Sequence, residues 1–237
     1  MVEVLLALVV IGVVAAYTIP TFFANYQKTQ YVTQLKQVYS QITEAIKLMM
    51  IDENVDKVPQ TNILTQDDDW DASLQRAGGF LKKYFKVIKD CGVTNAGGCF
   101  ADNYTSLDGS NSGPPMLNNC YGVIISNGAS ICVVPGAGAV SRPCVFKVDI
   151  NGPKKPNIAG RDLFMISVYY DGTLDEGVTP ECRRGLPNVY AGLCGGSTNA
   201  EAARKDRFDN LCKSQPSGIY GSGCFGKILN DNWKMDY

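Results

Sequence analysis

The feature that most constrains this chain is a long apolar run close to its N-terminal end. From Val4 to Gln27 there are 24 consecutive residues without a charge, and Glu3 is the one charged side chain before Lys28. As an α-helix, such a run would be roughly 36 Å long, whereas the hydrocarbon core of a bilayer is about 30 Å thick. We therefore expect residues 1–27 to form an apolar helix that can cross a membrane.

A cleaved secretory signal peptide is the competing interpretation of this run. It would need basic residues before the apolar stretch and a cleavage site with small residues after it. Here the acidic Glu3 precedes the stretch, and the sequence Tyr17-Thr18-Ile19-Pro20 follows it. The pattern favours a helix that is retained.

The helical pattern continues beyond the apolar run. In residues 28–51, apolar side chains recur at steps of three and four while polar ones fill the other positions, which is typical of an amphipathic helix packed on a core. Neither Gly nor Pro occurs between Thr21 and Met50, so we expect one rod of about 50 residues, roughly 75 Å long. Pro20 removes a helical donor, so a kink or local unwinding is expected between Gly12 and Pro20. The amphipathic apolar positions are Tyr31, Leu35, Val38, Ile42, Ala45, Ile46 and Met49.

The N-terminal run also resembles a known family. Residues 1–20, MVEVLLALVVIGVVAAYTIP, are similar to the N-terminal helix of type IV pilins and type II secretion pseudopilins. The likeness rests on the single glutamate, the apolar stretch and the proline 17 residues after that glutamate. It covers about 50 of the 237 residues closely.

The resemblance implies how such a chain is made and used. Members begin their mature chain two residues before the position that Met1 matches, after cleavage by a prepilin peptidase and with N-terminal methylation. They are stored in the bacterial inner membrane as single-pass precursors, and assembly machinery draws them into a helical homopolymer at the cell surface. The family implies that Glu3 pairs with the N-terminal amine of a neighbouring subunit and so sets the stagger between subunits. The simpler alternative is that Glu3 only favours the helix dipole.

Two other residues are candidates for filament assembly. Gly12, a small residue, would let neighbouring helices approach closely. Pro20 marks the expected weak point of the helix. Together with Glu3, these are the predicted assembly residues.

Residues 52–237 are expected to form a globular head outside the membrane. We predict a loop at 52–70, a helix at 72–89 and a long loop at 94–119. Runs rich in β-branched and aromatic residues predict strands at 120–126, 129–134, 144–150 and 163–170, with the first two joined by a hairpin at Asn127-Gly128 and a short strand after Asp171-Gly172. An antiparallel sheet of about four strands laid on the amphipathic helix gives an α+β fold.

The last part of the chain, residues 179–237, is rich in Cys and Gly. We expect a disulfide-stapled surface excursion there, with one helix at residues 200–211.

The cysteines all lie in the predicted head, and none lies in the apolar helix. With no histidine and no Cys-x-x-Cys, a zinc site is disfavoured and disulfides are expected. Four bridges would leave one thiol over, as a free buried thiol, an intersubunit bridge or an adduct. The hairpin at Asn127-Gly128 should place Cys132 opposite Val123, which argues against a bond between Cys120 and Cys132. The nine are Cys91, Cys99, Cys120, Cys132, Cys144, Cys182, Cys194, Cys212 and Cys224.

A block rich in side-chain oxygen begins at Asp149. Asp149, Asn151 and Asp162 are candidate calcium ligands, and a similar loop occurs in pilin-like proteins, some of which bind calcium. The spacing is not that of an EF-hand, and two lysines inside the block oppose a cation. A network of Asx turns that ties two strands together is the favoured interpretation. No other cofactor is expected.

The absence of histidine excludes Ser-His-Asp, Cys-His and imidazole-based chemistry. No spacing singles out a pair of carboxylates for acid and base work, so we expect a protein that is not an enzyme. A net charge of −1 predicts no specific nucleic-acid binding.

Two classes of function remain. The first is a filament subunit: a major pilin serving adhesion, motility, DNA uptake or secretion, or else a minor pilin or a type II secretion pseudopilin. The second is a membrane-anchored binding module. Glu3 discriminates between the classes, because an anchor has no use for a carboxylate at its apolar end.

Overall fold

The computed structural model describes residues 2–61, 69–93, 97–113, 119–136, 144–185, 194, 197, 199–213 and 221–237. Its most prominent element is α1, Val2–Asp52, a single helix of 51 residues. Every residue of α1 is helical, including Pro20, so the local unwinding expected there does not occur. At the other end, Asn54 takes a left-handed φ of 52° and the Val55 N–H donates to the Met50 carbonyl at 3.0 Å, an arrangement that commonly ends helices.

The second half of α1 packs into the head, as its amphipathic pattern predicts. The buried positions share one helical stripe, and they belong to the same hydrophobic cluster as the central strands of the sheet. They are Val32, Leu35, Val38, Ile42, Ala45, Ile46 and Met49.

Helix α2, Trp70–Tyr84, is shorter than predicted. It begins at Asp69, whose side chain accepts the Ala72 N–H at 3.0 Å. Gly78 lies inside the helix without breaking it, and a Cβ there would come within 2.5 Å of the Tyr121 ring. The predicted extension to residue 89 is wrong, because residues 87–93 are the edge strand β1. Pairing with a neighbouring strand, which no local pattern reveals, overrides the helical spacing of the apolar residues.

The head is built on an antiparallel sheet with strands of unequal length, which confirms the α+β class. Within the described residues, six strands follow the order β1-β4-β5-β6-β7-β8, two more than the four or so expected. Strands β2 and β3 form a separate two-stranded ribbon inside the stretch predicted as loop. The strands are β1 Val87–Val93, β2 Tyr104–Thr105, β3 Asn111–Gly113, β4 Tyr121–Ile125, β5 Ser130–Pro135, β6 Cys144–Asp149, β7 Leu163–Val168 and β8 Leu174–Asp175.

The two faces of the sheet have different neighbours. Val133, Phe146 and Ile166 are paired across β5, β6 and β7, and they face the cluster that contains α1 and α2. The next row of the same strands belongs to the opposite face, where Phe100 and Tyr104 from the segment before β4 form a second cluster. Both faces are thus covered, which explains why the central strands are buried throughout.

The described residues of the C-terminal part form three short helices. They are α3 Pro180–Arg183, α4 Ala200–Arg207 with a π-helical continuation Phe208–Cys212, and α5 Cys224–Asn230. The helix predicted at 200–211 is therefore present, whereas α5 was not foreseen. Phe225 and Ile228 of α5 are fully buried in the main cluster beside α1. This helix belongs to the core of the head rather than to a surface excursion.

Candidate functional site

The first half of α1 stands clear of the head. From Val2 to Tyr26, its fifteen large apolar side chains are each 51–79% exposed. No residue of its most apolar 18-residue window is buried, so this half is apolar and long enough to cross a membrane. The exposed side chains are Val2, Val4, Leu5, Leu6, Leu8, Val9, Val10, Ile11, Val13, Val14, Tyr17, Ile19, Phe22, Phe23 and Tyr26.

The exposed apolar surface of this half of α1 is too large to be left in water. Burying a large apolar side chain is worth about 1.5–3 kcal/mol, so fifteen partly exposed ones represent on the order of 20 kcal/mol. A domain has a net stability of only about 5–15 kcal/mol. The N-terminal half of α1 therefore requires a cover of lipid or of other protein chains.

The three predicted assembly residues are spread around this half of the helix. Glu3 lies in the first turn, and its side chain is exposed. At about 100° per residue, Gly12 lies on the opposite side from Glu3, and Pro20 is about 80° further round. A Cβ added at Gly12 would meet no atom of the described residues within 4 Å, so this position is open to a neighbouring helix. The three residues do not converge on one pocket, and a single flat partner could not contact all of them.

The oxygen-rich block after β6 forms a network of hydrogen bonds. Both carboxylate oxygens of Asp162 accept backbone N–H groups, those of Asn157 and Ile158, each at 2.7 Å. Asp149 accepts the Tyr104 hydroxyl and, at 3.2 Å, the N–H of Asn151. This is the turn network that the sequence analysis favoured.

Burial perturbs both carboxyls of this network. Burial, reinforced by the charge of Asp162, holds the pKa of Asp149 well above its usual range. Burial also raises the pKa of Asp162 to about 6.

The predicted calcium ligands fit an ion poorly. Calcium takes six to eight oxygen ligands, whereas both carboxylates here are already acceptors. Among the described residues of this block, the amide oxygens of Asn151 and Asn157 are buried without a hydrogen-bond partner. Within the described ranges, no group of three or more His, Cys, Asp or Glu side chains is placed to hold a metal. We therefore assign the block a structural role.

All nine cysteines lie in the described part of the chain, and eight of them form disulfides. The pairs are Cys91–Cys99, Cys120–Cys132, Cys182–Cys194 and Cys212–Cys224. The ninth, Cys144, is free and buried on β6, and burial raises the pKa of its thiol. Of the three expectations for the ninth cysteine, the structure supports the free buried thiol.

Cys120 and Cys132 are bonded, contrary to the expectation from the sequence, because the hairpin between them has a different loop. Gly128 takes a φ of 89°, and Ile125 and Ala129 close a three-residue loop in place of the expected two-residue one. Cys132 consequently faces Gly122 and not Val123. Positions 120 and 122 share a face of the strand, so the two cysteines come within a Cα–Cα distance of 5.6 Å.

Sequence reasoning missed the buried charges that hold the C-terminal part in place. Asp175 of β8 is 1% exposed and accepts Arg204 of α4, with 2.9 Å between Nε and Oδ1. Glu176 accepts the backbone N–H groups of Gly223 and, at 3.0 Å, Gly226 at the start of α5. Burial raises the pKa of Glu176 to about 7. Partners that lie 29 to 50 residues away leave no local signal in the sequence.

No family model, no curated protein and no solved structure matches this chain.

Proposed function

We propose that this chain is a pilin-like structural subunit that polymerises through α1 into an extracellular helical filament. The observation that carries the proposal is the division of one continuous helix. Its first half exposes an apolar surface on every side, while its second half is the core of a disulfide-bonded head. In the filament, α1 helices would pack together at the centre and the heads would form the outer wall.

The continuity of α1 supports assembly, because it fixes the head relative to the apolar half. The chain passes from Tyr26 to Val32, the first buried position, without leaving the helix. Helical filaments need every subunit to present the same two surfaces in the same relative orientation, since their contacts are heterologous and do not close. A rigid helix satisfies that requirement, whereas a flexible tether would not.

Glu3 favours a filament over a simple anchor. An ionised carboxylate costs several kcal/mol in an apolar setting unless it is paired. In an assembly that excludes lipid, Glu3 would need a cationic partner, and the N-terminal amine of a neighbouring subunit is the partner implied by the resemblance to type IV pilins. In a membrane anchor, the same carboxylate could stay among the headgroups and would contribute little.

The same geometry serves a major pilin, a minor pilin or a secretion pseudopilin. In each case, the inner membrane would store the chain before assembly, and dedicated machinery would extract it. The subunits would then repeat along the shaft or cap its tip.

A second candidate function, a membrane-anchored binding module, is favoured by one observation. A cleft of about 860 Å³ lies between the C-terminal end of α1 and the turn after β7, with Lys47, Met50 and Arg183 among its lining residues. Met50 is 23 residues beyond the apolar run, so the cleft would stand roughly 35 Å from the membrane surface. Such a position suits the recognition of a substrate or of another surface.

The experiment that separates these candidates is the substitution Glu3→Ala, with Glu44→Ala as its matched control. Glu44 is an exposed acid on the same helix but lies in the half that packs on the head. We expect Glu3→Ala to stay in the membrane fraction after carbonate washing and to lower the yield of sheared filaments roughly tenfold or more, since an unpaired partner charge would remain buried. Glu44→Ala should give normal filaments.

Normal filament yield from Glu3→Ala would contradict the pairing role and favour the anchor. Immunogold labelling of wild-type filaments then distinguishes the subtypes. Label along the whole shaft indicates a major subunit, and label at one end indicates a tip subunit.

A further inference from the structure

The place where α1 leaves the head contains a groove with a marked charge. We call it the basal groove; its volume is about 540 Å³, and one wall is α1 while the other is the chain segment after α5. Residues that matter for its chemistry are Lys28, Val32, Lys36, Trp233, Lys234 and Asp236.

The basal groove carries a net positive charge. Among the described residues that line it, three ammonium groups, from Lys28, Lys36 and Lys234, face the single carboxylate of Asp236. In the described part of the chain, none of these lysines forms an ion pair. The Lys36 ammonium lies 5.4 Å from the centre of the Trp233 ring, so the aromatic face and the charges are presented together.

The end of the groove at Lys28 lies at the level where a membrane surface would be. If Glu3 stands at one boundary of a hydrocarbon core of about 30 Å, the other boundary falls about 20 residues later, near residue 23. The headgroup layer adds roughly 5–7 Å, which brings Lys28 within it. Lys36 lies about 12 Å further along the helix, and because helical side chains lean toward the N-terminus, its long side chain extends toward this layer.

The segment that supplies Trp233 and Lys234 is fixed in place. Asn232 and Trp233 both have left-handed φ values, 51° and 62°, which are uncommon for residues other than glycine. The Trp233 N–H donates to the Ile228 carbonyl at 2.8 Å, and the Tyr237 hydroxyl donates to the Gly160 carbonyl at 2.8 Å. These ties hold the aromatic ring and the lysine beside α1 before any ligand binds.

We propose that the basal groove binds the phosphate headgroups of anionic phospholipids and thereby seats the head on the membrane before assembly. The proposal rests on the membrane-stored state in the proposed function. Lysine side chains next to a spanning helix are attracted to anionic lipids, and tryptophan favours the interfacial layer because one end of its ring system is apolar and the other is polar. A second copy of the chain would instead need an acidic surface to match the three lysines.

The test uses Trp233 as a reporter in the full-length chain. The protein has two tryptophans, so Trp70→Phe leaves Trp233 as the single one. This variant is reconstituted in vesicles of phosphatidylcholine, with or without phosphatidylglycerol, that contain a lipid with a nitroxide on its headgroup. We expect stronger quenching of Trp233 in the anionic vesicles, and less of it at high salt.

Charge variants then examine the groove itself. Each of Lys28→Gln, Lys36→Gln and Lys234→Gln should lower the ratio of seated to unseated heads about fivefold in anionic vesicles. The triple variant should lose the dependence on phosphatidylglycerol. Lys89→Gln, which removes an exposed charge from the edge strand β1 of the head, is the matched control and should change nothing.

Three results would overturn the inference. Equal quenching in neutral and anionic vesicles, with the chain resistant to carbonate extraction, would leave the membrane-stored state intact and contradict lipid binding alone. Quenching that follows the ratio of protein to lipid and ignores phosphatidylglycerol would show a second copy in the groove. Loss of the chain on carbonate washing would contradict the membrane-stored state and the inference together.

Discussion

Two isoleucines on α1 offer a direct test of the division between its halves. Ile11 is 64% exposed in the apolar half, whereas Ile42 is fully buried in the core of the head. Replacing each by alanine makes the same chemical change in the same helix. The small gain in helix propensity is common to both variants and cancels in the comparison.

The structure sets the expected magnitudes. Ile→Ala removes the equivalent of three methylene groups, worth about 2.4 kcal/mol in transfer free energy, and a buried site adds a cavity term. Because Ile42 of α1 is buried in one cluster with the strands of a sheet that is covered on both faces, its neighbours have little room to collapse. We expect Ile42→Ala to lower the free energy of unfolding of the head by about 3–4 kcal/mol, and Ile11→Ala to change it by less than about 0.5 kcal/mol.

The measurement is guanidinium denaturation of the full chain in detergent micelles, with the disulfides intact. Near-ultraviolet circular dichroism reports the packing of the aromatic residues in the head. Ile11→Ala should weaken retention in the membrane instead. Equal destabilisation by the two substitutions, or none from Ile42→Ala, would refute the assignment of one half to the core and the other to an external cover.

Two further predictions concern buried titratable groups of the head. Because burial places the folded-state pKa of Glu176 at about 7, above its ordinary value of 4.5, its contribution to stability is full below the ordinary pKa and is lost as the pH rises through about 7. Between about pH 5.5 and pH 8.5, the free energy of unfolding of the wild type should therefore fall by about 2 kcal/mol more than that of Glu176→Gln. Denaturant titrations across this pH range measure the difference. Parallel pH profiles of the two proteins would contradict the prediction. Cys144 should give no maleimide adduct in the native chain and one adduct per chain after unfolding without reductant, counted by mass spectrometry; labelling of the native protein would disprove its burial.

Much of α1 could be predicted from the sequence, because its signals are local. These signals all lie within the helix that they indicate. They are the uncharged run, the apolar residues that recur every three or four positions, and the lack of Gly and Pro between Thr21 and Met50. The strands β4 to β7 were predictable for the same reason, since alternating or continuous apolar runs bounded by turn residues indicate them directly. The local unwinding predicted at Pro20 was also a local inference. It is wrong, because the helix continues through Pro20.

The candidate assembly residues remain predictions of the N-terminal pattern. Glu3, Gly12 and Pro20 lie at the positions that a helical wheel gives them, and no residue that the structure describes covers Gly12. The basal groove had no comparable signal. Lys28 and Lys234 are about 200 residues apart in the sequence, and only the packing of the last residues against α1 brings their charges together.

The sequence alone determined that this chain has a long two-part helix, an antiparallel sheet and a disulfide-bonded head, because helical and strand periodicities act over a few neighbouring residues. Tertiary structure decided which cysteines pair, that residues 87–93 form a strand, and that α5 is part of the core. These outcomes depend on contacts between distant segments, and a small change in local geometry alters which residues come into contact. One extra residue in the loop at Asn127-Gly128 turned Cys132 to the face of Cys120, since side chains alternate between the two faces of a strand.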